Sequence, residues 1–512
     1  MPKLTKKEKR EMIAAAMKTI SEHKGLSPAS KDRGVVVLGK ALLIVMGGVL
    51  MSNLFRHIPA VDKILMDPEI TEASRGIPSL EVTSVVRQFL DELRGEIAVQ
   101  KVACTKEEII AHLVLELKAT KRRKFQPVVN ATGVLLHTNL GRAPLPELAI
   151  ERLQSLGQGY FNLELDLNTG ERGSRYASVS RLFNLLLAGE QGQVEKSTNS
   201  TCDTVVVNNN AGAVLVALKA LTAGQEVIVS RGQLVEIGGG FRVPEVMATS
   251  GCHLKEVGTT NRTRLSDYAG AVTEQTKAIL LVHPSNYSII GFTESVPRDK
   301  LAQLAGERGL LLIEDIGSGA FHPFEEPLVS CALRHSHIVT YSGDKLFGGP
   351  QAGIISGRKD LVDVIKKDPL LRALRIDKLS LIALEAVLEL HLGKAYNKLP
   401  LWALASVDPE EIRLRAETWQ SHVGPGLKGE VVQAESTMGG GSLPGETISS
   451  WALALQSSKL SSAELAEWLR RNDPPVMGRI VQDRVLLDPR TVLPSQDQLI
   501  TSLLQGGVAS CS

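Results

Sequence analysis

The sequence predicts an α/β chain. A large domain is expected to carry a mostly parallel sheet sandwiched by helices, with a small C-terminal α+β domain and an N-terminal helical domain. Three observations predict it. From Phe125 onward, short apolar runs of strand length alternate with stretches of helical periodicity. Each run is bounded by Gly, Asn, Ser or Pro, and most lead directly into a helical pattern. The 512 residues are 43% hydrophobic and 22% charged, near the globular average, which excludes wholesale disorder and collagen-like structure.

Residues 1–50 carry 10 Lys/Arg against 4 Asp/Glu, a surplus of +6 that leaves −4 on the remainder and +2 on the whole. A near-neutral total gives no support for coating nucleic acid by bulk charge. The basic start KLTKKEKR (3–10) precedes an apolar stretch at 34–55, the order of a signal sequence or anchor. Lys40 interrupts that stretch, glycines weaken it as a helix, and its unbroken part, 41–51, falls short of the ~20 residues that span a bilayer. No stable membrane association is expected. Met51 reads as a natural start, with 1–50 an extension of doubtful role from upstream translation.

Residues 51–125 read as helical. Pro59 and Pro68 flank a short apolar turn, and 80–93 and 105–121 carry apolar residues at helical spacing, the second opening on Thr105 as its cap. This helix ends in Lys118, Lys121, Arg122, Arg123 and Lys124. A basic end suits the helix dipole and equally suits RNA phosphates. Expected strands follow at 204–207, 226–230, 278–283, 310–315 and 337–342. After Asp377 come helices at 378–391 and 409–420, the triplet Gly439-Gly440-Gly441, and strands at 431–433, 479–481 and 484–487. Cys104, Cys202, Cys252, Cys331 and Cys511 form no CxxC pair, so neither a disulfide framework nor a zinc site is expected, and a reducing cytoplasm fits.

Ligands in such sheets lie at the carboxyl ends of strands. The sharpest constellation there is Tyr341-Ser342-Gly343-Asp344-Lys345-Leu346-Phe347-Gly348-Gly349-Pro350. A lysine at a strand end among small residues is what a cofactor aldehyde needs, an amine that is reachable yet partly desolvated. Pyridoxal 5'-phosphate (PLP) also requires a carboxylate against its pyridine nitrogen and donors for its phosphate. Asp315, at the end of the run 310–315, supplies the first, and alternation lets only one of Glu314 and Asp315 face the site. Ser342 and the turn Asn208-Asn209-Asn210-Ala211-Gly212, which follows a strand and opens a helix, supply the second. Each feature alone has a plainer reading: a surface turn, a helix cap, a polar turn. Their coincidence, in this order, points to PLP.

Arg142 lies in Asn139-Leu140-Gly141-Arg142-Ala143-Pro144, and Arg372 and Arg375 stand three apart, which would place both guanidiniums on one helix face. Such a pair fits a solvated face or a clamp for a small oxyanion. Glu171-Arg172-Gly173-Ser174-Arg175 is a similar set.

The run Asn130-Ala131-Thr132-Gly133 through Leu136-His137-Thr138-Asn139-Leu140-Gly141-Arg142-Ala143-Pro144-Leu145 resembles the bacterial selenocysteine synthase family, the L-seryl-tRNA(Sec) selenium transferases. So do GERGSRY (170–176), VVNNNAGAV (206–214), SRGQLVEIGGGFRVP (230–244), VGTTNRT (257–263), SNYSIIGFTE (285–294), EDIGSGA (314–320), SGDKLFGGPQAGII (342–355), RALRIDK (372–378), GGGSLPGE (439–446) and LLDPRTVLP (486–494). MSNLFRHIPAVDKIL (51–65) resembles the family's amino terminus. The resemblance implies a fold-type I PLP-dependent transferase with its PLP lysine at Lys345. It implies conversion of L-seryl-tRNA(Sec) to L-selenocysteinyl-tRNA(Sec), with selenophosphate as selenium donor held by Arg142, Arg372 and Arg375. It divides the chain into a tRNA-binding helical domain (51–125), a PLP-binding large domain (126–377) and a small domain (378–512). It also implies a homodecamer, a pentamer of dimers with active sites at dimer interfaces. HPFEEPL (322–328) is shorter than the family's usual loop, and Gln233 and Pro284 replace its more usual Glu and Thr.

Two other classes stay open on the residues alone. A related PLP lyase acting on a small amino acid or amino sugar phosphate would not need 51–125. A non-catalytic tRNA-binding or assembly protein would not need Lys345 and Asp315.

Overall fold

The computed structural model describes residues 58–508 apart from 101–104, 122–124, 192–201, 238–239, 322–327 and 444. The extension 1–50, the cationic cluster at 122–124 with the side chains of Lys118 and Lys121, and nearly all of HPFEEPL lie outside the described residues. The chain forms two compact units, Met1–Gln126 and Pro127–Ser512.

The described part of the first unit is helical: Val61–Leu65, Pro68–Ala73, Ser79–Gln100 and Lys106–Lys121. The expected turn between Pro59 and Pro68 contains a short helix, and Asp67 starts the next one by accepting from Glu69 N at 3.2 Å. The long helix buries Val82, Val86, Leu90 and Leu93, one stripe at helical spacing, in a core shared with Ile109, Ile110, Leu113 and Leu117. Thr105 caps the last helix reciprocally: Glu108 N donates to its hydroxyl at 3.2 Å, and its own N donates to the Glu108 carboxylate at 2.8 Å.

The second unit is built on a seven-stranded sheet: β1 (Cys202–Val207), β2 (Glu226–Ser230), β3 (His253–Val257), β4 (Thr276–Val282), β5 (Leu311–Gly317), β6 (Ile338–Ser342) and β7 (Gly353–Arg358). Their order is β1-β7-β6-β5-β4-β2-β3, with β7 antiparallel to both neighbours and all other pairs parallel. The continuous apolar runs follow from burial on both faces: Val205 and Val207 enter one core while Val206 enters the other. Sequence patterning missed β3, a polar edge strand, and β7, whose glycines resemble a loop. Those glycines are required by contact, since a Cβ would lie 2.0 Å from Asn209 O at Gly353 and 2.2 Å from His337 O at Gly357.

A second, antiparallel sheet orders Leu427–Ser436, Ile448–Ser457, Arg484–Leu487 and Arg479–Val481, so the expected strand at 431–433 is ten residues long and its partner at 448–457 was not foreseen. The segment after Val129–Asn130 runs beside it, with Leu135 N donating to Thr437 O (3.0 Å) and Leu136 N to Met438 O (2.7 Å), which brings the triglycine loop toward the large sheet. The helix Lys378–Leu392 starts where expected, capped by Asp377, and packs against helices Glu147–Gly157 and Ala177–Gln191. Among the described residues no helix is long and apolar enough to cross a membrane.

Candidate active site

β1 ends at Val207, and the helix Asn210–Thr222 begins after a two-residue turn. Asn209 caps it by accepting from Gly212 N at 2.8 Å. The amides of Asn210 and Ala211, in the first turn, have no acceptor within the helix and aim with the dipole at whatever lies beyond. Gly212 is needed there, because a Cβ would sit 3.0 Å from Asn208 Oδ1 and 3.3 Å from the Leu374 side chain.

β5 separates the two adjacent acids as alternation requires. Glu314 turns to Arg298 (2.8 Å) and Ser336 (2.8 Å). Asp315 faces the opposite way and accepts from Asn210 Nδ2 (2.8 Å) and Thr340 Oγ1 (3.1 Å). The strand does not stop at Asp315 but continues to Gly317 across a register shift. Burial pushes the Asp315 carboxyl above its ordinary range, opposed by the Asn210 hydrogen bond and the positive charge of Lys345.

β6 ends at Ser342, and the turn after it buries Lys345, whose Nζ lies 3.4 Å from Gly441 O. The triglycine loop forms this wall because only glycine fits. At Gly441 φ is +79°, and a Cβ would stand 3.0 Å from Lys345 Nζ. Asp344 pairs with Arg142 at 2.8 Å, while its other oxygen is buried without a hydrogen-bond partner. Arg142 has φ +63°, directly after Gly141, in a turn where both Leu140 N and Arg142 N donate to His137 O. A left-handed non-glycine residue stores on the order of 1–3 kcal/mol, here at the point where its guanidinium meets Asp344.

One cavity of about 200 Å³ gathers Arg142, Asn209, Asn210, Ala211, Asp315, Ser342, Asp344 and Lys345, together with Gly317 and Gln351. Gly212 supports it from behind through the Asn209 cap. Arg372 and Arg375 are elsewhere. The helix bearing Arg372 spans only Pro369–Ala373, so the expected shared helix face does not exist. Leu374 O instead accepts from Asn208 N at 2.9 Å, and Arg375 bridges to Val207. Both arginines line a second cavity, about 390 Å³, with Glu164, Arg172, Arg175, Lys366 and Lys367. Within one chain the structure therefore separates Arg142 from the other two. Sequence reasoning assigned no role to Asp344, Thr340, Gln351 or Gly441. The first stood next to Lys345 and could have been weighed as a second charge in the same turn. The others act through contacts at long sequence separation.

The profile of the L-seryl-tRNA selenium transferase family matches residues 128–493, and that of the selenocysteine synthase N terminal region matches 55–94. Curated relatives named L-seryl-tRNA(Sec) selenium transferase include those of Carboxydothermus hydrogenoformans (42% identical, covering 89% of this chain and 98% of the relative), Desulfomicrobium baculatum (43%, 90% and 100%) and Moorella thermoacetica (44%, 88% and 97%). Among solved structures, a D-glucosaminate-6-phosphate ammonia-lyase superposes with TM-score 0.53 at 21% identity, covering 76% of this chain and 97% of that one, a likeness of fold.

Proposed function

Because the chain belongs to the L-seryl-tRNA selenium transferase family, we propose that it converts L-seryl-tRNA(Sec) to L-selenocysteinyl-tRNA(Sec), replacing the seryl hydroxyl with selenium from selenophosphate. It is a PLP-dependent transferase of fold type I. The observation that carries this reading at the level of the site is the meeting of Lys345, Asp315 and the Asn209–Ala211 turn in one cavity at strand ends. Relatives above 40% identity over nearly their whole length favour the transferase over a small-molecule lyase, to which the likeness is one of fold.

The residues present fit PLP. Asp315 is a buried carboxyl whose burial raises it above its ordinary range against the opposing charge of Lys345, so a further positive charge of the kind a ring nitrogen supplies would favour its ionised form. Asn210 Oδ1 is buried without a hydrogen-bond partner, and the first-turn amides point where a phosphate is held best. Lys345 would hold the aldehyde, Asp315 the ring nitrogen, and Asn209–Gly212 with Ser342 the phosphate. When bound, PLP supplies an electron sink for the pair released at the seryl Cα.

The chain's own residues do the rest. Lys345 Nζ takes the Cα proton, and the Gly441 wall keeps water from it. Asp344 holds the Arg142 guanidinium beside that amine, a fixed positive charge facing incoming anion. Arg372 and Arg375, exposed in the second cavity, match the donor's phosphate oxygens. We assign tRNA binding to residues 51–125, which the N-terminal family match supports. On the family resemblance we assign a homo-oligomeric assembly, a decamer of five dimers, and a cytoplasmic location. Purified protein given seryl-tRNA(Sec) and selenophosphate should yield selenocysteinyl-tRNA(Sec). Recovery of only seryl-tRNA would overturn the reading.

A further inference from the structure

The cations of the second cavity are not equivalent. Arg175 is largely buried and held at all three nitrogens: Nε and Nη2 donate to Glu164 Oε1 (2.8 and 2.5 Å), and Nη1 donates to the carbonyl of Ile376 (3.2 Å). Arg172 pairs with the other oxygen of Glu164 at 2.9 Å, and Lys366 pairs with Asp203 at 2.6 Å. Arg372, Arg375 and Lys367 are exposed and form no ion pair or hydrogen bond with any described side chain. Arg175 thus commits all three of its nitrogens to Glu164 and the Ile376 carbonyl, whereas Arg372, Arg375 and Lys367 face outward.

Its bond to Ile376 O has a clear consequence. Arg375 lies between the carbonyls of Leu374 and Ile376. The first is held by Asn208 N at 2.9 Å, from the turn that opens the cofactor helix. The second is held by Arg175. The segment sits between the end of one helix at Ala373 and the start of the next at Lys378, so these two bonds, with the Val207 bridge, fix the backbone from which the Arg375 guanidinium projects. Glu164 anchors Arg175 in turn, from a loop closed on itself by Gly173 N to Glu164 O (3.0 Å) and Asp166 N to Glu171 O (3.0 Å). Hydrogen bonds from Arg175 and Arg172 hold the Glu164 carboxyl below its usual range, which keeps it ionised at working pH.

We propose that Glu164 and Arg175 form a strut that positions Arg375, and through it sets the affinity for the donor's phosphate. They are positioning residues, not ligands, and the proposal rests on the assignment of Arg372 and Arg375 to that phosphate. It makes a counter-intuitive demand. Removing the negative charge of Glu164 from a cavity that binds an anion should tighten binding if charge alone matters. The strut requires the opposite.

The experiment measures KM for selenophosphate and for seryl-tRNA(Sec), and kcat, in the holoenzyme, with inorganic phosphate as competitive inhibitor. Arg375→Gln comes first: its selenophosphate KM should rise roughly tenfold or more. No rise there overturns the donor-site assignment itself. Given that rise, Glu164→Gln should raise the selenophosphate KM and the phosphate Ki together by about fivefold, with kcat and the tRNA KM within about twofold. An unchanged or lowered KM overturns the strut and leaves the donor site standing. Arg175→Lys keeps the charge but cannot serve Glu164 and Ile376 O with one fork. It should weaken donor binding in the same direction, and wild-type KM in this variant also overturns the proposal. It carries the test alone if Glu164→Gln fails to fold.

Discussion

The two cavities hold their charges in opposite ways. Around Lys345 the charged groups are enclosed by the fold: Lys345 and Asp315 are each 5% exposed, Asp344 7%, and Arg142 is paired with Asp344. Around Arg372 the outward-facing cations Arg372, Arg375 and Lys367 are exposed, and among the described residues the ion pairs belong to the supporting Arg172, Arg175 and Lys366. Burying an ion costs several kcal/mol unless neighbours compensate. The first cavity is therefore fixed at folding and suits a resident group whose reacting atoms must not wander. The second leaves its guanidiniums solvated, at little cost, and suits an anion that enters and leaves at every turnover.

The sharpest way to break this contrast is at its most enclosed atom. Lys345→Ala should lower turnover by at least about 10³-fold, the scale on which a positioned base contributes, and should abolish the visible absorbance of the bound cofactor. Full turnover in that variant would end the assignment. Next in size is a reversal in the open cavity. Arg372→Glu should leave the cofactor absorbance intact yet weaken selenium transfer by roughly 10–100-fold, because a repelled phosphate loses both a fork and a charge. Should cofactor binding fall in parallel, the two cavities would not be functionally separate. Gly441→Ala probes the wall between triglycine loop and lysine. Its Cβ would need φ +79° and a 3.0 Å approach to Nζ, so kcat should drop about tenfold with the selenophosphate KM unchanged.

The same contrast explains what could be read from sequence. The enclosed site is assembled from strand ends, where function is contiguous: Ser342 to Lys345 occupy one turn, Asn208 to Gly212 another, and Asp315 ends a recognisable apolar run. Alternation lets only one of Glu314 and Asp315 face the site, Asp315 is the one at the end of the apolar run, and the structure turns Glu314 away to Arg298. What stayed hidden depends on pairings that no local pattern records. The Arg142–Asp344 ion pair joins residues 202 apart, and the Gly441–Lys345 contact joins residues 96 apart. The spacing of Arg372 and Arg375 misled because a helix was assumed to continue past Ala373. A backbone bond from Asn208, distant in sequence, takes Leu374 O and ends it.

The smallest effect tests the enclosed cavity without any turnover. Burial raises the Asp315 carboxyl above its ordinary value near 4, so in the cofactor-free protein the folded state binds this proton more tightly than the unfolded chain does. The stability it contributes is fully present below the ordinary carboxylate range and is lost as pH rises through the elevated folded value. Asp315→Asn has no proton to lose there. Melting temperatures of the two cofactor-free proteins should therefore diverge in favour of the Asn variant as pH climbs above the ordinary carboxylate range, by on the order of 1–3 °C for a chain of this size. Adding PLP should reverse the preference, because the ring nitrogen would place a further positive charge against Asp315. A parallel pair of curves for Asp315→Asn, or a divergence favouring wild type, would show that the carboxylate is already compensated and that the two cavities differ less in design than their burial suggests.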